Sequence, residues 1–354
     1  MEASDHIVRS DDLILITGAT GFIGARLVPA LQRLGFTRLR CVVRPSSNLR
    51  RLEDSINQPD SGAHVELIKG NLLSKSDCEA MTREAVLIYH LAAGTGTKSF
   101  ADAFANSVIT TRNLLDAAHF HGCLRRFVNL SSFAVYTNDN PNQPGVLDES
   151  CPVEEHPELP GDAYTYAKAK QDELVMEYGR RYNLPYVLIR PGVVYGPGKE
   201  RIHGRIGIDT FGLFLHLGGP NPIPLTFVDN CAEAIALAGI VKGVDGEVLN
   251  VVDDDLPSSR QFLRMFKKHV GSFSSFYVPH FASYLLCLLW EKYSSWSHGQ
   301  LPPVYNRRQW RASWKKTRYP NDKIKNRLGW VPKVSTNDGL QQYFEGYRTT
   351  NAHA

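Results

Sequence analysis

Thr17-Gly18-Ala19-Thr20-Gly21-Phe22-Ile23-Gly24 follows the apolar run Leu13-Ile14-Leu15-Ile16. Behind it, Ile23, Leu27, Ala30, Leu31 and Leu34 recur at helical spacing. The stretch therefore reads as buried strand, glycine turn and helix, the setting in which a helix N-terminus meets a pyrophosphate. Gly18 is expected to allow the sharp turn, Gly21 the approach of a phosphate, and Gly24 close packing of helix on strand. Thr20, Phe22 and Ile23 complete the turn and are read with the glycines as cofactor-binding residues. The spacing is G-x-x-G-x-x-G rather than G-x-G-x-x-G.

Working outward, strand and helix patterns alternate. Arg38–Val43 reads as a second strand, His64–Lys69 as a third, Ala85–His90 as a fourth, Arg126–Leu130 as a fifth and Pro185–Arg190 as a sixth. Phe104–His121 and Ala163–Tyr182 read as helices. This alternation predicts an α/β fold with a doubly wound parallel sheet. Phe227–Val241 and Glu247–Val251 read as a helix and strand returning to it. The expected division is a dinucleotide-binding domain over 11–196, rejoined by 227–252. A smaller, mainly C-terminal substrate domain would cover 197–226 and 253–345.

The composition, 43% hydrophobic and 21% charged, is that of a soluble globular chain. A net charge of +4 over 354 residues gives no reason to expect nucleic acid as a partner. The six cysteines are far apart and form no C-x-x-C pair, so neither a metal site nor a disulfide framework is expected. No charged leader followed by an apolar stretch opens the chain, so no signal peptide is expected and the compartment is read as the cytoplasm.

Tyr164 and Lys168 stand at i and i+4, and Tyr166 and Lys170 repeat that spacing two residues on. The face of Tyr166 continues through Lys170, Glu173 and Glu177 and reads as solvent-facing. The face of Tyr164 continues through Lys168, Asp172, Val175 and Gly179 and is less polar, which favours the first pair. A tyrosine with an ordinary pKa of about 10 is a weak base at neutral pH. The Lys168 ammonium is expected to lower that pKa and to hold a ribose. Ser132 can donate to a substrate oxygen, and Tyr164 is then acid in reduction and base in oxidation.

TGATGFIG at 17–24, Leu91-Ala92-Ala93 after His90, Ser131-Ser132-Phe133-Ala134-Val135-Tyr136, the Tyr164/Lys168 pair and Arg190-Pro191-Gly192-Val193-Val194-Tyr195-Gly196-Pro197-Gly198 occur in one order. In that order they resemble the extended short-chain dehydrogenase/reductases, the NAD-dependent epimerase/dehydratase family. The branch that includes 3β-hydroxysteroid dehydrogenases and dihydroflavonol reductases is the most similar. The resemblance implies a Rossmann fold and a catalytic set of Ser132, Tyr164 and Lys168. It also implies cofactor contacts from Asn71, Leu72, Leu91, Ala92, Ala93, Pro191 and Val193. Asn71 stands where the family carries an acid, and its carbonyl oxygen can meet the adenine amino group. Arg44 ends the second strand where NAD-preferring members carry an acid, and a guanidinium suits a 2′-phosphate. NADP is therefore the expected cofactor, with NAD the other candidate, and a homodimer is expected.

The expected activity is hydride transfer between the nicotinamide and an alcohol or ketone of a small apolar substrate. A nucleotide-sugar epimerase or dehydratase is the alternative, and an NADP-sensing regulator a third reading. Epimerases and dehydratases of this kind commonly carry an arginine just before the segment equivalent to Phe227-Val228-Asp229. Here 221–226 has no basic residue, although Arg201 and Arg205 could substitute. Phe276–Trp290 is strongly apolar but short for a membrane span. The basic stretch after it holds Trp310 and Trp314. Together they suggest either peripheral membrane contact or a cap with its tryptophans buried.

Overall fold

The computed structural model describes residues 6–56, 63–94, 99–138, 140–155, 162–199, 202–210, 212–297 and 306–351. Arg201 lies outside them, as do 139 and 156–160 of the loop after Tyr136.

Six strands come first: β1 (Ile14–Thr17), β2 (Arg38–Val43), β3 (His64–Lys69), β4 (Leu87–His90), β5 (Arg126–Leu130) and β6 (Tyr186–Pro191). The short strands β7 (Val193–Tyr195), β8 (Gly207–Thr210), β9 (Leu213–His216) and β10 (Leu225–Phe227) follow, then β11 (Val248–Val251) and β12 (Ser275–Tyr277). A seven-stranded sheet has the order β11-β6-β5-β4-β1-β2-β3. Its pairings are parallel throughout. The chain runs outward from β1 to β3, then crosses back to β4 beside β1. That reversal opens a crevice at the carboxyl ends of β1 and β4.

The apolar runs lack polar alternation because both faces of the sheet are covered. Ile14 and Ile16 of β1 face one core, and Leu15 faces the other. The first core is closed by α1 (Gly24–Arg33) and α2 (Arg50–Ile56), and later by α7. The second is closed by α3 (Lys75–Thr82), by α5 (Thr110–His121), which continues from α4 (Phe100–Phe104), and by α6 (Ala163–Tyr182). Sequence spacing predicted one regular helix over 104–121, but a π-helical turn at Ala105–Ile109 lies between α4 and α5. There the hydroxyls of Thr110 and Thr111 donate to the carbonyls of Asn106 and Ser107.

Asp162 caps α6, accepting from the Tyr164 amide at 3.1 Å and the Thr165 hydroxyl at 2.7 Å. Asn183 ends it at φ 53°. The helix α7 (Val228–Ile240) is buried along most of its length, and β11 then pairs with β6.

A further core joins Ile206, Phe214, Ile223, Phe262 and Phe266 to Leu340, Tyr343 and Phe344. It is built from β7, β9, β10, α8 (Ser259–His269) and α12 (Thr336–Asn351). Between α8 and α12, α9 (His280–Trp296) and α10 (Arg307–Trp314) pack on each other, and α11 (Asp322–Leu328) adds Ile324 and Leu328 to the first core. A small sheet of order β12-β9-β8 flanks it.

Candidate active site

The glycine turn is fixed by backbone geometry. Gly18 has φ +71°, and a Cβ there would sit 2.8 Å from the Ala92 nitrogen. A Cβ on Gly24 would sit 2.2 Å from the Gly18 carbonyl oxygen. No side chain fits either place, so α1 meets β1 at close range.

Beside this turn lies a cleft of about 620 Å³. It brings together Gly18, Gly21, Phe22, Ile23, Gly24, Leu91, Ala93, Ser132, Tyr164, Lys168, Pro191 and Val193. An adjoining cavity adds Thr20, Arg44, Ser47, Asn71, Leu72 and Ala92 around the ends of β2 and β3. The two share Gly18, Gly21, Leu91 and Ala93 and form one elongated trough across the sheet reversal. An extended dinucleotide fits such a trough, with its phosphates at the N-terminal end of α1. Arg44 is exposed at the far end, its amide 3.1 Å from the Ser47 hydroxyl. The Asn71 side-chain oxygen accepts from the Leu73 amide at 3.0 Å, so one of its two lone pairs is already used.

Ser132 and Tyr164 line the same cleft, and the serine hydroxyl favours the charged form of the phenol. Ser132 also caps the short 3-10 turn after β5, accepting from the Ala134 amide at 3.1 Å. Burial raises the Tyr164 phenol above its ordinary pKa, the Ser132 hydroxyl offsets this in part, and the Asp162 and Asp172 charges raise it further. The direction is opposite to the lowering expected from Lys168, because loss of water disfavours the phenolate. Lys168 is itself 3% exposed, and burial brings its ammonium down to about 8 against an opposing pull from Asp172.

Lys168 is held from behind. Its ammonium donates to the Leu130 carbonyl and, at 3.0 Å, to Gln171 Oε1. Gln171 Nε2 in turn donates to the Thr111 hydroxyl oxygen at 2.7 Å. The single Thr111 hydroxyl hydrogen goes to the Ser107 carbonyl. Thr111 must therefore accept from His90 Nε2, 2.9 Å away, which makes Nε2 the protonated nitrogen. His90 Nδ1 then accepts from Thr17 Oγ1 at 2.8 Å, and Thr17 Oγ1 accepts from the Ala92 amide at 3.3 Å. One buried line of hydrogen bonds thus runs from the first residue of the glycine turn to Lys168. Burial drives the His90 pKa down to about 3, so the ring stays neutral and this proton arrangement is stable.

A second buried group sits under Ser132. Asp172 accepts from Ser131 Oγ at 2.7 Å, from Asn129 Nδ2 at 3.1 Å, and from Arg190 Nε and Nη2 at 3.1 and 3.0 Å. The Arg190 guanidinium lies 4.8 Å from the centre of the Tyr136 ring, whose hydroxyl donates to Asn250 Oδ1 at 2.8 Å. Asp172 thereby ties α6, β5 and β6 together directly beneath the candidate residues. The sequence singled out Asp172 only by its helical position and by the family's habit of placing an acid eight positions after the tyrosine. Thr111 carried no signal at all, and Gln171 only its place one turn beyond Lys168.

Tyr166 differs from its solvent-facing reading. Its ring packs on Phe100 and Phe104, with centroids 5.4 and 6.3 Å away, while Lys170 pairs with Glu173. Tyr164, not Tyr166, reaches the cleft.

Beyond Ser132 the cleft opens into a cavity of about 370 Å³ walled by Phe133, Ala134, Ile208, Arg205, Gln309 and Ala312. Arg205 donates to the Tyr319 hydroxyl at 3.1 Å and the Ala312 carbonyl at 3.5 Å. At the other end, the Phe22 ring lies between Lys199 and Arg51, 5.0 and 5.9 Å from its centroid. Trp310 turns toward α9, its Nε1 donating to Ser283 Oγ at 3.0 Å, and Trp314 packs on His280 and Tyr277. Both tryptophans therefore form the inward-facing cap that was the other reading of this stretch.

The family model described as NAD dependent epimerase/dehydratase family matches residues 14–251. A trifunctional UDP-glucose 4,6-dehydratase/UDP-4-keto-6-deoxy-D-glucose 3,5-epimerase/UDP-4-keto-L-rhamnose-reductase of Arabidopsis thaliana is 31% identical over 256 residues. Those residues are 67% of this chain and 36% of that protein. The chain thus spans about a third of the length of the first such relatives. A bifunctional dihydroflavonol 4-reductase/flavanone 4-reductase of Pyrus communis is 28% identical over 193 residues, 52% of this chain and 54% of the relative. Among solved structures, UDP-glucuronic acid 4-epimerase from Bacillus cereus superposes with a TM-score of 0.71 at 22% identity, covering 96% of this chain and 99% of that one. The structure of gox2253 gives 0.73 at 22% identity, with the same coverage. At these identities the structural likeness is one of fold.

Proposed function

We propose that this chain, which belongs to the NAD dependent epimerase/dehydratase family of extended short-chain dehydrogenases/reductases, transfers hydride between a nicotinamide cofactor and an alcohol or ketone. The observation that carries the proposal is the meeting of Ser132, Tyr164 and Lys168 in the cleft that also holds the glycine turn. A bound nicotinamide dinucleotide would supply or accept the hydride. Gly18, Gly21 and the amides opening α1 would hold its phosphates, with Leu91, Ala92 and Ala93 beneath it and Pro191 and Val193 beside the nicotinamide. Lys168 would hold the nicotinamide ribose.

In the reducing direction Ser132 donates to the substrate oxygen and Tyr164 passes it a proton; in the oxidising direction Tyr164 takes that proton back. Lys168 places a positive charge behind the phenol as its proton moves. Arg44 supports NADP over NAD, because a guanidinium at the adenosine end complements a 2′-phosphate. The substrate would enter through the cavity between Phe133 and α10, in a domain formed by 197–226 and 253–345.

Elimination of water needs a further acid and base; Phe133 and Ala134 after Ser132 carry no ionisable group, and Asp162 and His203 are the ionisable groups that line both cavities beside Arg205. The names of the relatives keep a nucleotide-sugar epimerase or dehydratase as the second reading, and Lys199 in the cleft suits an anionic substrate. Retention of Tyr164 counts against a cofactor-sensing regulator. The test is cofactor absorbance in the presence of ketone, alcohol and nucleotide-sugar panels. Stoichiometric loss or gain of reduced cofactor supports the oxidoreductase. Conversion of a nucleotide sugar without net absorbance change supports the second reading and sinks the first.

A further inference from the structure

In α9 the usual arrangement of a surface helix is inverted. Ser283 and Cys287 are fully buried and Ser294 nearly so. Phe281 is 77% exposed, Leu289 57% and Trp296 75%, with Leu285, Leu286 and Tyr293 about half exposed. A helix advances about 100° per residue, so the buried small residues share one side and the large apolar ones the other. The inner side is occupied. Trp310 of α10 bonds to Ser283 and packs on Tyr284, and Arg307 pairs with Glu291. The outer side is bare among the described residues and continues into Phe276 and Tyr277 of β12, 61% and 38% exposed. Among the described residues, nine of the fifteen exposed large hydrophobic ones fall in 276–296, so the patch is a local feature of this surface. A monomer surface rarely leaves so many large apolar groups together unless something covers them.

The charge around the patch selects what covers it. Residues 259–318 contain eleven Lys and Arg and one acid, Glu291. The segment therefore carries +10, whereas the whole chain carries +4. Lys292 stands on the apolar face itself, Arg260 lies 5.5 Å from the Tyr277 ring, and Lys267 bonds to Ser275 at the edge of β12. A second copy meeting this face across a two-fold axis would bring the same cations together. An anionic lipid surface complements them, and its headgroup region suits exposed Trp and Tyr side chains such as Tyr293 and Trp296. No helix among the described residues is long and apolar enough to cross a membrane. A helix with its polar side already packed on protein and its apolar side outward is suited to lying in the interface instead.

We propose that α9, extended by β12, is a docking surface by which this protein lies on the interface of an anionic bilayer. The patch is one helix away from the candidate substrate cavity. Gln309 and Ala312 of α10 face that cavity, while Trp310 of the same helix pins α9. A substrate dissolved in the lipid would thus reach the cavity over a short path. The docking itself does not depend on the oxidoreductase reading.

The test is flotation of the full chain with phosphatidylcholine vesicles, with and without phosphatidylserine, at low and high salt. Binding is expected with phosphatidylserine at low salt and should weaken as salt shortens the Debye length from about 10 Å at 0.1 M to about 3 Å at 1 M. The double variant Leu285→Glu, Leu289→Glu should lose binding while keeping its circular dichroism spectrum. Should that variant not fold, the unaltered protein still decides the matter, because acyl-brominated lipids should quench its tryptophan fluorescence and Trp296→Phe should remove part of that quenching. Failure of the folded protein to float with phosphatidylserine vesicles at low salt overturns the proposal. So does a dimer, seen by light scattering without vesicles, that the double variant dissociates, because a second copy would then cover the face.

Discussion

His90 Nε2 lies 2.9 Å from the Thr111 hydroxyl, and this contact joins the glycine turn to the candidate proton-transfer site. On one side, His90 bonds to Thr17, the last residue of β1. On the other, Thr111 receives Gln171, which receives Lys168. The residue that begins the phosphate turn and the lysine expected to hold the nicotinamide ribose are therefore linked through buried side chains. Each proton in that line has a defined direction.

Tyr164→Phe should lower turnover by about 10²–10⁴-fold, the usual worth of a positioned acid or base. Cofactor affinity, read by quenching of protein fluorescence, should change little. Tyr166→Phe should keep most activity, since the Tyr166 ring packs on Phe100 and Phe104 and its replacement keeps that ring. Reversal of the two outcomes would assign the chemistry to the second tyrosine.

Arg44→Ala should weaken NADP by about tenfold or more and leave NAD within about twofold, because only NADP carries a phosphate for the guanidinium to meet. Titrations of the two cofactors side by side check this. An equal loss for both would give Arg44 a structural role at the end of β2.

Gln171→Leu removes an acceptor from the Lys168 ammonium, whose pKa is already brought down to about 8 by burial. Losing the acceptor disfavours the charged form, so that pKa should fall further. The alkaline limb of kcat/KM, which reports groups of the free enzyme, should move to lower pH. A merely structural effect would lower the rate without moving the limb.

Lys168→Met tests the same burial through stability. The native pKa of about 8 lies below the ordinary 10.5, so below pH 8 the folded protein carries a buried charge that the unfolded chain solvates. Between about pH 8 and 10.5 the unfolded chain holds a proton that the folded protein has released, and stability from this group rises with pH. Urea unfolding should show wild type gaining on the variant across that window. A pH-independent difference would contradict the assignment.

Asp172→Ala should cost about 3–5 kcal/mol of stability, because it strands the Arg190 guanidinium, whose side chain is 3% exposed, without its carboxylate. Denaturant midpoints measure this. The variant should also lose activity, since Ser131 and Asn129 lose the acceptor that orders the end of β5.

The positions of the main sheet strands along the chain were legible in the sequence because most are short apolar runs bounded by turn residues. The glycine turn was legible because only glycine can occupy φ +71° against Ala92 and meet the Gly18 carbonyl so closely. That Tyr164 rather than Tyr166 would reach the cleft was read from helical periodicity and from the acid eight positions on, although Tyr166 packs on Phe100 and Phe104 rather than facing solvent. These features are local, set within a turn or a few turns of helix. The partners of Lys168 were not local. Thr111 and His90 lie on a different helix and strand, 57 and 78 residues earlier, and only the crossing of α5 over β4 brings them beside α6.

The pKa of Tyr164 also depended on the tertiary structure, because desolvation is a property of the whole environment and here sets the direction of the shift. The C-terminal segment shows the same division. Its sequence displayed an apolar run and a basic run with tryptophans between them. Which side of α9 faced outward was decided by packing, when Trp310 took the side bearing Ser283 and left Phe281, Leu285 and Leu289 exposed. A periodic pattern fixes which residues share a face of a helix; only the neighbours that the fold supplies determine which face is covered.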